Sequence, residues 1–474
     1  DALYFIQAKH SDNLMFNMAS TLSAKVTKRS TLVGGLVLGS NSNRHYQTMD
    51  DLLGASFFHN INTYALGTYP ADDPRVQYDL NTAGPNNLGS LVYEGDKFGY
   101  DYKIEVMKGL LWTSYTAEMG RFQTMISGKL GQTNMRRHGY MRNGMAANNS
   151  EGNSRIARFG EGGAKGSINF DAGKGHVFKI GVGYEWRPPM ANAAFISPEI
   201  CNDYVLNLGD EHVFSSEFSY QYQNAWVHAN INAYYSRLDH VTEWQNFYND
   251  DENSFTYLSM TGLEKEYYGI EAGLDFKVAS FLNFKAIGTI SDAKNINNAN
   301  VNYMLSKSAE VVKDYAYIKD MRESGTPLTI GSLALDFHKS GWFVNLNANW
   351  YDRIYLSYSP SYRYKSSLKN RDMLFNDEPL PGSVDQAKGH GGWMVDGSIG
   401  KSIRLKHGSL NFNLMITNIL NNRKIVSGGY EQSRSDYTLN KENEAKDRVY
   451  KFSKNPKKYY VFGTNGMFQV SYRF

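Results

Sequence analysis

The chain holds one cysteine, Cys201, in 474 residues. A single thiol excludes an intramolecular disulfide framework and any cysteine-based zinc cluster, and Cys201 reads as a lone free thiol in a loop. No uninterrupted apolar run approaches the ~18 residues that a membrane helix needs, so a helical membrane protein is excluded. Charge of one sign is also lacking: 50 basic and 47 acidic side chains leave a net +3, and no Lys/Arg block marks a nucleic-acid partner. The opening "DALYFIQAKH" has no basic region followed by an apolar stretch and a small-residue cleavage site. The expectation is that an export signal has been removed or that the sequence begins inside a longer chain. Catalytic motifs are missing as well. There is no GxSxG elbow and no HExxH pair, and in "GEGGAKGS" (Gly160 to Ser167) the lysine precedes the glycine and a strand follows, so a small-residue, lumen-facing strand is expected there rather than a phosphate loop. An enzyme is not expected, nor a cofactor or a metal site.

What the chain does have is aromatic residues, 34 Tyr and 25 Phe, arranged with a period of two. "MFQVSYRF" places Phe468, Val470, Tyr472 and Phe474 on one face and Met467, Gln469, Ser471 and Arg473 on the other. "HVFKIGVGYEWR" sets Phe178, Ile180, Val182, Tyr184 and Trp186 against Lys179, Gly181, Gly183, Glu185 and Arg187. "WVHANINAYYS", "YGIEAGLDFK", "WFVNLNANWY" and "SLNFNLMIT" repeat the pattern. A soluble sandwich also alternates. Here, however, the polar faces carry charged, amide and glycine positions suited to a wet interior, and the apolar faces begin and end in aromatics, as interfacial girdles do. Connections alternate too. "VTKRS", "AEMGR", "DAGKG", "YQNA", "KVASF", "DFHKSG" and "LKHGS" are tight, whereas 47–98, 138–154, 190–209, 293–325, 358–388 and 422–457 are long. Short turns on one side and long loops on the other predict an all-β, transmembrane antiparallel barrel with about sixteen strands, the first rising from the short-turn side and the last descending. Every backbone polar group in hydrocarbon must be paired, so the barrel closes on itself or on further strands.

Several stretches resemble TonB-dependent outer-membrane receptors of the group that carries a carboxypeptidase-regulatory-like N-terminal domain. They are "TMDDLLGA" (Thr48 to Ala55), "EGDKFGYDY" (Glu94 to Tyr102), "GYMRNG" (Gly139 to Gly144), "WRPPMANAAFISPE" (Trp186 to Glu199), "MTGLEKEYYGIEAGLDFK" (Met260 to Lys277), "ITNILNN" (Ile416 to Asn422) and the closing "VSYRF". The ending "YYVFGTNGMFQVSYRF" looks more like the non-SusC branch. The resemblance implies a 22-stranded barrel in the parent chain, a plug inside it, and coupling to the TonB complex through that plug. Residues 1–474 would then be the C-terminal barrel portion, lacking plug, TonB box and first strands. It also implies an outer-membrane location, in contact with the bilayer and lipopolysaccharide. Phe468, Val470, Tyr472 and Phe474 resemble the C-terminal signal read by the barrel-assembly machinery.

Candidate ligand contacts are loop residues. "MRRHGYMRNGM" clusters Arg136, Arg137, His138, Tyr140 and Arg142. Arginine forks bind carboxylate or phosphate and tyrosines pack flat ligands, so this cluster suits either an anionic chelate or a rim facing lipopolysaccharide phosphates. Arg187, Glu199, Trp244, Tyr248 and Arg353 are expected near the same mouth. The acidic pairs Asp50/Asp51 and Asp72/Asp73, and the run Asp250, Asp251, Glu252, lack calcium-loop spacing and read as solvated tips. The leading expectation is an importer of a scarce nutrient, with a ferric chelate or siderophore preferred. The alternatives are a passive porin and a membrane platform for a surface lipoprotein that imports glycan or peptide, for which "LLGASFF" (Leu52 to Phe58) would be a lid contact as easily as loop packing.

Overall fold

The structure is a computed structural model that describes residues 1–84, 89–249, 252–308, 310–431 and 456–474. Its main element is an 18-stranded antiparallel sheet. Three members are short pieces within loops (Gly152–Asn153, Ala299–Leu305 and Val311–Ala316), which leaves fifteen wall strands among the described residues. In chain order these are β1 (Ile6–Thr27), β2 (Ser30–Asp51), β3 (Lys97–Met119), β4 (Phe122–Gly139), β5 (Ala157–Gly173), β6 (His176–Arg187), β7 (Glu211–Gln223) and β8 (Val227–Asn249). They continue with β9 (Ser254–Ala279), β10 (Leu282–Asn295), β11 (Thr329–Lys339), β12 (Trp342–Asp352), β13 (Gly392–Leu405), β14 (Gly408–Thr417) and β15 (Asn465–Arg473). Each pairs with its neighbours in sequence, an up-and-down meander from β1 to β15.

Every tight connection expected from the sequence is a turn at one rim. One expectation is corrected. β1 runs into the Lys28-Arg29 turn, so it descends toward the short-turn rim, and the number of wall strands is odd. The Ser11-Asp12-Asn13 run, turn-prone in composition, stays inside β1 because its side chains are held by β2. Ser11 donates to Asn43 at 3.1 Å, and Tyr46 donates to Asp12 at 3.0 Å. With β1 and β15 both descending, direct closure would need a parallel pair. None forms among the described residues, where β1 pairs with β2 and β15 with β14.

The strands sort their side chains as the period of two requires. Along the register, Ile180 lies opposite Phe218, Phe218 opposite Ala233, Ala233 opposite Ile270 and Ile270 opposite Ile290, an apolar row that crosses five strands on the outer face. Ile231, Leu414 and Val470 remain 46%, 38% and 51% exposed, so nothing of the protein covers that face. The inner face carries ion pairs between neighbouring strands: Lys108 with Glu161 at 2.8 Å, Lys129 with Glu185 at 2.7 Å and Lys285 with Asp336 at 3.1 Å. "GEGGAKGS" falls within β5. There Gly162 admits the Trp186 ring, which a Cβ would approach within 2.4 Å.

The well-packed core lies in the loops, not in the wall. Strands at the long-loop rim outrun the ~9–11 residues that a membrane crossing needs; β9 has 26. Around these projections the loops bury apolar clusters. Leu258, Met260, Leu263, Val301 and Ile318 form one, and Val76, Met145, Ile196, Ile200 and Tyr257 another. Cys201 is buried in the second. Loop 353–391 is locked to the next loop by a fully buried pair, Arg363 with Glu431 at 2.7 Å. Leu52 and Phe58 pack inward against Val92, Phe98 and Phe5, so this part of "LLGASFF" is loop packing.

Candidate binding site at the long-loop mouth

Parity along β4 decides where the arginine-rich stretch points. The β3/β4 register is unbroken from Phe122 to Gly139, so Arg136 and His138 share the outward face of Ile126 and Leu130, while Met135 and Arg137 face inward. Arg136 is joined to Glu105, and Lys103 meets the same carboxylate at 2.7 Å. His138 contacts Asn153 at 2.8 Å, and Tyr140 lies under the Arg44 guanidinium at 4.2 Å. These groups form a rim on the outer wall above the apolar belt.

Arg137 does something else. It is almost fully buried and donates to the Pro198 carbonyl at 2.7 Å, the Ser150 carbonyl at 2.7 Å and Asn202 at 2.6 Å. A buried guanidinium needs its donors satisfied, and here two loop carbonyls and an amide satisfy them. The consequence is positional: loop 188–210 is drawn against the inner wall, which places the neighbouring Glu199. Arg142 likewise serves loop packing, donating to the Ala147 carbonyl at 2.9 Å.

Glu199 accepts a 2.7 Å hydrogen bond from Tyr257 of β9. Tyr78, Tyr100, Tyr102 and Lys9 are also within electrostatic range of it. β3, which carries Tyr100 and Tyr102, and β9, which carries Tyr257, are separated by five wall strands, so the Glu199 charge acts on tyrosines from both sides of the mouth. Glu199 is enclosed by its neighbours yet keeps accessible surface, as a group lining an internal space does. Burial pushes its carboxyl above the ordinary carboxylate value, and the Tyr257 hydrogen bond and Lys9 pull in the opposite direction. Tyr78 is pushed up by burial and then by the Glu199 charge.

Trp244 belongs to the same group. Its Nε1 donates to the Ile196 carbonyl at 3.1 Å, and its ring centroid lies 6.5 Å from that of Tyr257. Tyr248 stands farther out against Tyr64 and Phe255, with ring centroids at 6.1 and 5.6 Å. Arg187 and Arg353 do not join the cluster. Arg187 pairs with Glu211 at 3.1 Å, and Arg353 donates to the Ser291 carbonyl at 2.7 Å and meets Asp292 at 3.3 Å. Of the sequence candidates, then, Glu199 and Trp244 converge, Tyr248 flanks them and Arg137 positions the loop. Sequence reasoning missed Tyr78, Tyr100, Tyr102 and Tyr257. Their only local signal is tyrosine abundance, because convergence across the mouth depends on register and loop closure. Asp250 and Asp251 lie outside the described residues.

No family model and no curated protein matches the chain. Solved structures do. The copper transporter OprC superposes with a TM-score of 0.61 at 10% identity, covering 98% of this chain and 57% of that one. The fold is the one these transporters have. The ferric citrate transporter FecA gives 0.59 at 9% identity, and the FrpB iron transporter from Neisseria meningitidis 0.57 at 10%; each match covers 98% of this chain and 55% of the other. The chain thus spans little more than half the length of these structures, and at such identities the likeness is one of fold.

Proposed function

We propose that residues 1–474 are the barrel portion of a TonB-dependent outer-membrane receptor that takes up a scarce nutrient, a metal chelate of the siderophore type. The observation that carries the proposal is the convergence of Glu199, Tyr257, Tyr78 and Trp244 in the mouth, beneath loops that pack as one assembly. A concave site lined with aromatic rings and a few fixed polar groups suits a flat, oxygen-rich ligand. Phenol hydroxyls reach its periphery, rather than the arginine forks, which are occupied elsewhere. The names of the similar structures, transporters of copper, ferric citrate and iron, agree with this cargo class. On this reading the edges of β1 and β15, unpaired among the described residues, join further strands of a 22-stranded parent, a plug fills the lumen, and TonB acts on that plug. The same edges count against a passive porin closed on its own strands. A lipoprotein partner stays a subsidiary proposal, since much of the loop segment that suggested it is packed inward.

The test is a titration of the full-length protein with ferric and cupric chelates, followed by Trp fluorescence, beside Glu199→Gln and Tyr257→Phe. Binding that weakens about tenfold or more in both variants supports the proposal. Affinity for glycans or peptides and for no metal chelate overturns it.

A further inference from the structure

The two rims differ in how their cations are used. At the long-loop rim and in the lumen, many arginines and lysines meet carboxylates, among them Arg44 with Asp101, Lys97 with Asp101, Arg322 with Asp292 and Lys265 with Glu243 and Glu323. The short-turn rim is built otherwise. Its seven turns contain Lys28, Arg29, Arg121, Lys174 and Lys406 and no acidic residue. Within three residues of the turns the strand ends add Lys25, Lys277, Lys339 and Arg404, and the end of β15 beside Ser409 adds Arg473, against the side chains of Glu118 and Asp171 alone. This excess by itself is larger than the +3 net charge of the whole chain. Among the described residues none of these cations is in a salt bridge, and all are exposed. Along the described wall the collar is continuous except at Asn224–Trp226.

What lies beside the collar narrows the partner. Phe122 and Trp342 are exposed on the outer face one step from the turns, and Trp226 is exposed within one, where a lipid-facing girdle belongs. Lys339 sits over the Phe281 ring at 4.7 Å and Lys401 over the Trp342 ring at 4.8 Å, so cationic heads and interfacial aromatics occupy one level. A protein partner would contact one arc. A collar that follows the girdle through six of the seven turns matches a partner present all around the barrel.

We propose that the short-turn collar binds the anionic phospholipid headgroups of the leaflet it faces, holding a shell of acidic lipid around that end of the barrel. The inference rests on the barrel fold and not on the cargo. Attraction of clustered Lys and Arg to an acidic lipid surface falls off within a Debye length, so it acts where these turns meet the headgroups.

The experiment places the full-length protein in nanodiscs of phosphatidylcholine with a minority of phosphatidylglycerol and measures the association of spin-labelled lipids of each kind. About fivefold enrichment of phosphatidylglycerol is expected, roughly what one basic residue near an acidic surface supplies. The variant Lys28→Gln/Arg29→Gln/Lys174→Gln/Lys406→Gln halves the collar's excess charge and lowers it, and Lys97→Gln/Arg136→Gln, at the other rim, keeps it. All changes are on exposed side chains, and heat-modifiable mobility on gels reports that each barrel is folded. Equal association of the two lipids with the unmodified protein overturns the proposal. So does enrichment that the fourfold change leaves undiminished, or that inorganic phosphate abolishes at constant ionic strength.

Discussion

Removing the Glu431 carboxylate tests whether the long loops form one locked assembly. Arg363 and Glu431 have side chains with no accessible surface. The carboxylate accepts from both terminal nitrogens of Arg363, at 2.7 and 2.8 Å, and from the amides of Ser359 at 3.0 Å and Ala387 at 3.4 Å. In Glu431→Ala the guanidinium loses this carboxylate and keeps the carbonyls of Ser359, Val384 and Asp385 and the Tyr358 ring. A buried cation without its counter-charge costs about 3–5 kcal/mol. At ~1.4 kcal/mol per decade, the open population of this loop pair rises by roughly two to three and a half orders of magnitude. Native-state hydrogen exchange reads this at amides that keep their own acceptors in the variant, Leu356 on the Ala387 carbonyl and Gly389 on the Ile354 carbonyl. Their exchange should accelerate by at least about a hundredfold, and Arg363→Met/Glu431→Met should restore most of the protection, because an apolar pair leaves no orphaned charge. Exchange unchanged in the single variant, or a double variant as loose as the single, would refute the reasoning.

Two further outcomes follow from the mouth and its supporting loops. Because burial raises the Glu199 carboxyl, its protonated form suits the folded loop. Packing of 188–210 is therefore firmest below the ordinary carboxylate range and weakens as pH rises through the raised value. Exchange in that loop, measured against Glu199→Gln at each pH, should show this loosening in the unmodified protein alone. A Cβ on Gly144 would lie 1.7 Å from the Pro74 carbonyl oxygen, so Gly144→Ala should destabilise the 140–156 loop by ~1–3 kcal/mol and speed its proteolysis about tenfold or more. Gly160→Ala, where a Cβ meets nothing within 4 Å, should leave the cleavage rate unchanged.

The wall was legible because each strand has one partner on either side and one decision to make, in or out. A period of two records that decision residue by residue, which is why Ile231, Leu414 and Val470 could be assigned a face before any coordinates. Tight turns were legible for the same local reason. The direction of β1 was not, because nothing within a strand states which end is up and the turn-prone Ser11-Asp12-Asn13 run is absorbed by bonds to β2. The mouth was legible only in part. Glu199 and Trp244 came from a loop and a strand extension expected near the rim, but Tyr257 joins them through the pairing of β8 with β9 and the inward fold of loop 188–210. Arg136 and Arg137 are adjacent in sequence and opposite in role, one on the outer rim and one buried beneath a loop. That division becomes visible once the register of β4 fixes parity.

The central claim, a cylinder with lipid outside and water within, is tested most directly by a spin-label scan. With Cys201 replaced, single labels at Ile231, Leu414 and Val470 and at Asn230, Asn413 and Gln469 are compared in bilayers for collision with oxygen and with a water-soluble nickel chelate. The account predicts oxygen-dominated collision at the first three sites and nickel-dominated collision at the second three. Equal exposure of both sets to the nickel chelate, or protection of both from each quencher, would contradict it.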